Sequence, residues 1–140
     1  MQRYQHRVQY YETDMMGVVH HANYLHWMEE ARIDLMDQLG FPYAEMERQD
    51  ILSPVKSLQV EYRQPCSFGD LVAIEVTVPA FNRVVMTLAY RMVNQRGEVV
   101  CEAQSEHVFL SRDGRFVRLH RALPAFCAAV EALLKAPSPD

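Results

Sequence analysis

From residue 56 to residue 119 the chain repeats one pattern, apolar and polar residues alternating with period two between short turn signals. Lys56, Leu58, Val60 and Tyr62 alternate with Ser57, Gln59, Glu61 and Arg63, and Gly69-Asp70 then punctuates. Val72, Ile74, Val76 and Val78 make the next run. Val84, Met86, Leu88, Tyr90 and Met92 make a third, which ends at Asn94 to Gly97. A fourth runs from Val99 to Leu110 with Glu102, Gln104 and Glu106 on one face, and Asp113-Gly114 turns into a short strand expected from Arg115 to Leu119. Side chains alternate sides along a strand, so each run has one face to cover. Strands joined in succession by short turns make an antiparallel sheet.

One long stretch has the spacing to cover that face. From Ala22 to Leu39, Leu25, Met28, Ala31 or Arg32, Leu35 and Leu39 recur at three and four residues, the period of an amphipathic helix. Gly40 can adopt the left-handed conformation that closes a helix, and Pro42 cannot continue its hydrogen-bond ladder. A weak helical turn follows at Tyr43 to Arg48. Ahead of the long helix, Tyr4 to Tyr11 reads as a strand and Glu12 to His21 as a loop containing Gly17. Leu123-Pro124 opens a last helix with Phe126, Val130, Leu133 and Leu134 as its apolar stripe. The class is α+β. No repeat or linker interrupts residues 1–140, which are expected to form one domain with a frayed tail from Lys135 to Asp140.

Composition narrows the function. The net charge of −4 argues against general nucleic-acid binding, which needs a basic surface. No apolar run approaches the roughly 20 residues of a membrane span, and no basic-then-apolar leader opens the chain, so a cytoplasmic protein is expected. Cys66, Cys101 and Cys127 are odd in number and widely spaced, which suggests buried thiols without a disulfide framework or a thiol nucleophile. His20, His21 and His26 do not share a helical face and have no matched carboxylates, so no metal site is expected.

The chemistry concentrates in Tyr10-Tyr11-Glu12-Thr13-Asp14-Met15-Met16-Gly17-Val18-Val19-His20-His21-Ala22-Asn23-Tyr24. Asp14 stands just upstream of a helix start, and Gly17 permits a turn that a side chain would obstruct. The first amides of the helix, near His21 and Ala22, lack intrahelical acceptors. With the helix dipole they suit an oxyanion forming on a thioester carbonyl. A carboxylate beside that carbonyl can attack it, or deprotonate a water that does.

This tract resembles the D-x-x-G-[IV]-V-x-[HF]-x-N-Y pattern of the 4-hydroxybenzoyl-CoA thioesterase family, and most of all its YbgC-like acyl-CoA thioesterase branch. The chain supplies Tyr10-Tyr11-Glu12-Thr13-Asp14, Gly17-Val18-Val19-His20-His21 and Asn23-Tyr24. Glu30-Ala31-Arg32, Val60 to Pro65, Gly69-Asp70 and Arg121 to Pro124 extend the likeness over nearly the whole chain. The resemblance implies a hotdog fold, a curved antiparallel sheet wrapped around one long central helix. It also implies hydrolysis of a short-chain or aromatic acyl-CoA, with Asp14 as nucleophile or general base. The His21 amide would polarise the carbonyl with Gly17 and Ala22 in the same loop, the His21 side chain would position substrate or water, and Tyr24 would line the pocket. Asn82-Arg83 match a place where relatives contact the nucleotide. No cofactor is implied, since coenzyme A is part of the substrate. A homodimer or homotetramer with active sites between subunits is implied as well.

One departure stands inside the loop: relatives often carry Ala-Gly or Ser-Gly where this chain has Met15-Met16, which bears on substrate preference. Two other functions compete. A hotdog hydratase places Asp and His five apart in Gly-Asp-x-Asn-Pro-x-His, whereas Asp14 stands six and seven residues before His20 and His21 and lacks the Asn-Pro. A non-catalytic acyl-CoA-binding protein could keep the fold. Glu29 and Glu30, where another branch of the family places its carboxylate, read as a solvated or ion-paired face, and Lys56 and Arg83 as surface charges.

Overall fold

A computed structural model describes residues 2–135, without the Lys135 side chain, and five strands form one antiparallel sheet. They are β1 (Tyr4–Arg7), β2 (Val55–Tyr62), β3 (Leu71–Phe81), β4 (Met86–Val93) and β5 (Val99–His107). Their order across the sheet is β1-β3-β4-β5-β2, so β2 lies at the far edge beside β5. The helices are α1 (Asn23–Leu39), α2 (Tyr43–Arg48), α3 (Leu119–Ala122) and α4 (Pro124–Lys135). Apart from Lys135 itself, the expected tail lies outside the described residues.

The long helix α1 packs against β1 and β3 and buries Tyr24, Trp27, Met28, Ala31, Leu35 and Met36 on the sheet's inner face. Opposite them stand Val72 and Ile74 of β3 and Met86, Leu88 and Met92 of β4, all buried. Burial of such side chains is the main stabilising term, on the order of 2 kcal/mol each. The helix ends as its sequence requires. Gly40 takes φ +87°, its N–H donates to the Asp37 carbonyl (3.0 Å), and Phe41 N–H donates to that of Met36 (3.0 Å). A second helix also closes the core: α4 lies on β3 and inserts Phe126 among Phe41, Phe81 and Phe109. A long helix held in a curved antiparallel sheet is the hotdog arrangement.

Several boundaries differ from the sequence pattern. Strand β1 stops at Arg7, and Tyr10–Glu12 form a 3-10 turn that carries the chain toward α1. A bulge between Val55 and Ser57 puts Val55, paired with His107, on the inner face in place of Lys56. Residues 115–119 form no strand. A single bridge joins Leu110 to Phe116, and from Leu119 the chain turns into α3.

The inner face of β2 is apolar but bare. Val55, Leu58 and Tyr62 are each about half exposed (49%, 47% and 48%), because α1 sits over the other edge of the sheet.

Candidate active site

The loop ahead of α1 is built as a small hairpin. Thr13 and Val19 bridge antiparallel, Asp14 N–H donates to the Val18 carbonyl (2.8 Å), and Gly17 N–H donates to that of Asp14 (3.0 Å). Gly17 sits at φ +79°, a conformation that disfavours any residue with a Cβ. Asp14 is exposed at the turn. Its Oδ1 accepts the Met16 N–H (2.8 Å), and its other carboxylate oxygen has no partner among the described residues. Asp14 is therefore a turn-forming residue and also presents a free carboxylate oxygen.

Two anchors hold this hairpin. Val19 N–H donates to the Cys66 carbonyl (2.8 Å), which ties it to the segment between β2 and β3. The Glu12 carbonyl accepts both His20 N–H (2.9 Å) and the Asn23 side-chain amide (2.9 Å), which ties it to the helix start. Glu12 is itself fixed, with only 4% of its surface exposed. Its carboxylate accepts the Gln9 N–H (2.8 Å) and the Trp27 indole N–H (2.7 Å), and it faces His6 Nε2 (2.8 Å). His6 Nδ1 in turn lies 3.1 Å from Glu30. Burial pushes the Glu12 carboxyl up, but the hydrogen bonds from Gln9, His6 and Trp27 outweigh it and hold the group below the usual carboxylate range.

At the helix start the two expected amides divide. The His21 N–H has no protein acceptor among the described residues, whereas Ala22 N–H donates to His20 Nδ1 (3.2 Å). Asn23, Tyr24 and Leu25 donate backward to the carbonyls of His20, His21 and Ala22 in 3-10 fashion. One amide thus remains open, that of His21. Its carbonyl accepts the Tyr62 hydroxyl (3.2 Å), and its ring stacks on His20 with centroids 4.3 Å apart. His21, Tyr24 and Tyr62 line an open pocket of about 290 Å³ with Val19 and Pro65. Burial raises the phenols of both tyrosines, so each stays a neutral donor.

The remaining site candidates fall elsewhere. Asn82 and Arg83 occupy the β3–β4 turn, where Asn82 Oδ1 accepts the Val84 and Val85 amides (2.9 and 2.7 Å). Arg83, at φ +71°, reaches Glu131 of α4 (3.2 Å). The Asp14 hairpin is tied to the Leu71 end of β3 and this turn follows the Phe81 end, so about 33 Å of strand separates them within one chain. A Glu30 carboxylate oxygen lies 3.1 Å from His6 Nδ1, and Glu29 is exposed, 3.8 Å from Arg32. All three cysteines are buried, and burial pushes each thiol up, that of Cys101 to about 12. Sequence reasoning missed Glu12 as the anchor, because its donors come from three separate segments. It also missed Ser105 and His107, polar residues on the inner face of β5, although the run Glu102, Gln104, Glu106 already implied that the alternate residues face inward.

The hotdog fold and the exposed Asp14 turn ahead of its central helix suit a small thioester-cleaving enzyme, and similarity to known proteins decides the class. Residues 8–139 match the model of the thioesterase-like superfamily. YneP of Bacillus subtilis, provisionally named an acyl-CoA thioesterase, is 34% identical over 91% of this chain and 94% of its own length. The acyl-CoA thioester hydrolase YbgC of Escherichia coli is 28% identical over 70% of this chain and 73% of its own. A solved DHNA-CoA thioesterase from Staphylococcus aureus superposes with a TM-score of 0.92 at 32% identity, covering 96% of this chain and 91% of that one. The chain belongs to the thioesterase-like superfamily, on its YbgC-like branch, and is an enzyme of the thioester-hydrolase class.

Proposed function

We propose that this enzyme hydrolyses an aromatic acyl-CoA to the free acid and coenzyme A, with Asp14 as the reacting carboxylate. The observation that carries this reading is the pairing of an exposed Asp14, one oxygen free, with the open His21 amide at the start of α1. The thioester carbonyl oxygen accepts the His21 N–H, and the positive end of the helix dipole stabilises the charge that grows on it. By one route the free Asp14 oxygen attacks the carbonyl carbon, the C–S bond breaks, and the thiolate of coenzyme A leaves. Water then hydrolyses the acyl anhydride and restores the carboxylate. By the other, Asp14 takes a proton from the water that attacks. The substrates in the names of two relatives, DHNA-CoA and 1,4-dihydroxy-2-naphthoyl-CoA, favour an aromatic acyl group over a short aliphatic one.

Two observations support a homo-oligomer with shared sites. The inner face of β2 is apolar and half exposed, a surface that a second copy would cover. Asn82 and Arg83 stand too far from Asp14 in their own chain to meet the same coenzyme A, so a second copy would supply them. Coenzyme A enters as part of the substrate, and the proposed steps call on no other cofactor.

Asp14→Asn tests the reading well, because an Asn Oδ1 can still accept the Met16 N–H and keep the turn. Thiol release from aromatic acyl-CoAs should fall by about 10³-fold or more, with the thermal midpoint and oligomeric mass unchanged. Near-normal turnover in that variant would remove Asp14 from the chemistry. Tight acyl-CoA binding by the wild type without thiol release would instead favour the non-catalytic binder.

A further inference from the structure

The carbonyl of Asp14 accepts the Gly17 N–H (3.0 Å), so Asp14 to Gly17 make one tight turn with Met15 and Met16 at its central positions. Central residues of such a turn stand at the tip of the hairpin and send their side chains away from both strands. The exposures follow: Met15 is 105% and Met16 84% exposed. Every other described sulfur is buried. Met28, Met36, Met46, Met86 and Met92 are at most 3% exposed, and so are Cys66, Cys101 and Cys127. Burial also pushes those thiols up, which keeps them from ionising near pH 7. A small oxidant in solution therefore meets the sulfurs of Met15 and Met16, and both belong to the turn that carries Asp14.

A thioether needs no ionisation to react. Its sulfur lone pair attacks one oxygen of hydrogen peroxide and the O–O bond breaks; the departing hydroxide takes the proton from the oxygen left on sulfur and leaves as water. The sulfur is oxidised by two electrons to the sulfoxide, and the peroxide is reduced to water. A dithiol reductase reverses the step, removing the oxygen as water while its own thiols close to a disulfide. Oxidation turns a flexible apolar side chain into a polar one with a strong acceptor oxygen. The place matters, since consecutive Cα atoms lie about 3.8 Å apart and Met15 adjoins Asp14 directly. The Met16 N–H already holds Asp14 Oδ1 (2.8 Å), so a substrate that reaches the free Asp14 oxygen passes beside this turn. An acyl-CoA seated there strips water from the turn's side chains. A thioether gives up that water readily, whereas a sulfoxide oxygen loses its hydrogen bonds to it.

We infer that Met15 and Met16 form a peroxide-sensitive modification site at the mouth of the active site, where oxidation to methionine sulfoxide weakens acyl-CoA binding and reduction restores it. The inference rests on the thioesterase reading and extends it to regulation of the same site. The hydrogen bonds that shape the turn are made by the backbone and by the Asp14 side chain, not by the sulfurs. Oxidation therefore leaves Asp14 and the His21 amide in place, and its effect falls on KM rather than on kcat.

The test exposes the whole chain to dilute hydrogen peroxide and maps oxygen uptake by peptide mass spectrometry. Met15 and Met16 should oxidise about tenfold or more faster than the buried methionines. In a thiol-release assay the oxidised protein should show a KM for an aromatic acyl-CoA raised by about five- to tenfold, with kcat within about twofold. Methionine sulfoxide reductases with dithiothreitol should restore the KM. The Met15→Leu/Met16→Leu variant keeps apolar bulk and lacks the sulfurs, so its KM should not respond to peroxide. Oxidation spread evenly over the methionines, or slowest in the turn, overturns the site, as does an unchanged KM once both sulfoxides have formed. A response to peroxide that persists in the double variant overturns it too. Equilibrium binding of the acyl-CoA before and after treatment needs no turnover and separates the two readings. If untreated protein hydrolyses no thioester, the thioesterase reading fails; a loss of binding confined to the oxidised wild type then still supports the site, and equal binding overturns it.

Discussion

Replacing Glu12 by Gln isolates the anchor of the active-site hairpin, since the side chain keeps its shape and loses only its charge and one acceptor oxygen. In the native protein Oε1 accepts Gln9 N–H and faces His6, while Oε2 accepts Trp27 Nε1–H. A carboxamide cannot serve both sides. With its oxygen toward Gln9, its NH₂ opposes the indole N–H across a site that now measures 2.7 Å; turned over, it opposes the Gln9 amide. Hydrogen bonds to charged groups contribute about 1.5–3 kcal/mol, and leaving one buried donor unpaired costs about 1–3 kcal/mol, so a loss near 3 kcal/mol is expected. With a urea m-value of about 2 kcal/mol/M, the unfolding midpoint at fixed protomer concentration should drop by about 1.5 M. The difference should itself depend on pH. The folded-state pKa of Glu12 is depressed, so its stabilisation is full above the unfolded value of about 4.3 and is lost as pH falls through the folded value. Wild type and variant should therefore converge below the usual carboxylate range. A midpoint shift under about 0.3 M at pH 7, or one that persists unchanged into acid, would refute the view that this carboxylate holds the hairpin.

Two further outcomes are expected. His107 has a folded pKa lowered to about 4, first by burial and then by Arg32, so unfolding takes up a proton between about pH 6.5 and 4; stability should fall with acidification across that window, and His107→Gln should flatten the slope in pH-dependent melts. Gly17→Ala should cost about 1 kcal/mol in urea unfolding, because φ is +79° although no atom lies within 4 Å of the added Cβ; a loss above about 3 kcal/mol would mean the turn has no room to relax.

What could be read from the sequence was the local part of the structure. Gly40 closes α1 where its spacing ends, and β3, β4 and β5 follow one another across the sheet as their turns suggest. The position of β2 beside β5 was not legible, because no turn connects them and pairing between distant segments leaves no periodic trace. Residues 115–119 alternate like a strand but find one bridging partner only, since β-propensity expresses itself only where a neighbour supplies the ladder. The Asp14 loop, its turn at Gly17 and the helix start were legible for the opposite reason, since they lie within a dozen residues, although the Thr13–Val19 bridge that makes the loop a hairpin was not read. Its anchor was hidden, because the indole that holds Glu12 comes from α1 and the imidazole from β1.

The same division separates reaction from substrate. A carboxylate turn and an open amide at a helix start are local, so a contiguous motif can encode them and a family can keep them while its substrates change. Met15 and Met16 stand inside that motif, and both side chains are exposed, pointing away from the packed hairpin. In one chain, therefore, the side chains that depart most from the family's loop bury nothing against it, although the Met16 N–H still donates to Asp14. A cavity of about 210 Å³ that Leu25, Met28, Leu58, Ser105 and His107 help to line is walled instead by α1, β2 and β5, three segments brought together only by the order of the sheet. Substitutions at Leu58, Ser105 or His107 can reshape that cavity without disturbing the Asp14 turn, because the hydrogen bond that ties the inner face of β2 to the helix-start loop comes from Tyr62, four residues from Leu58. Selectivity should therefore track the inner face of β2 and β5 more closely than the Met15-Met16 pair.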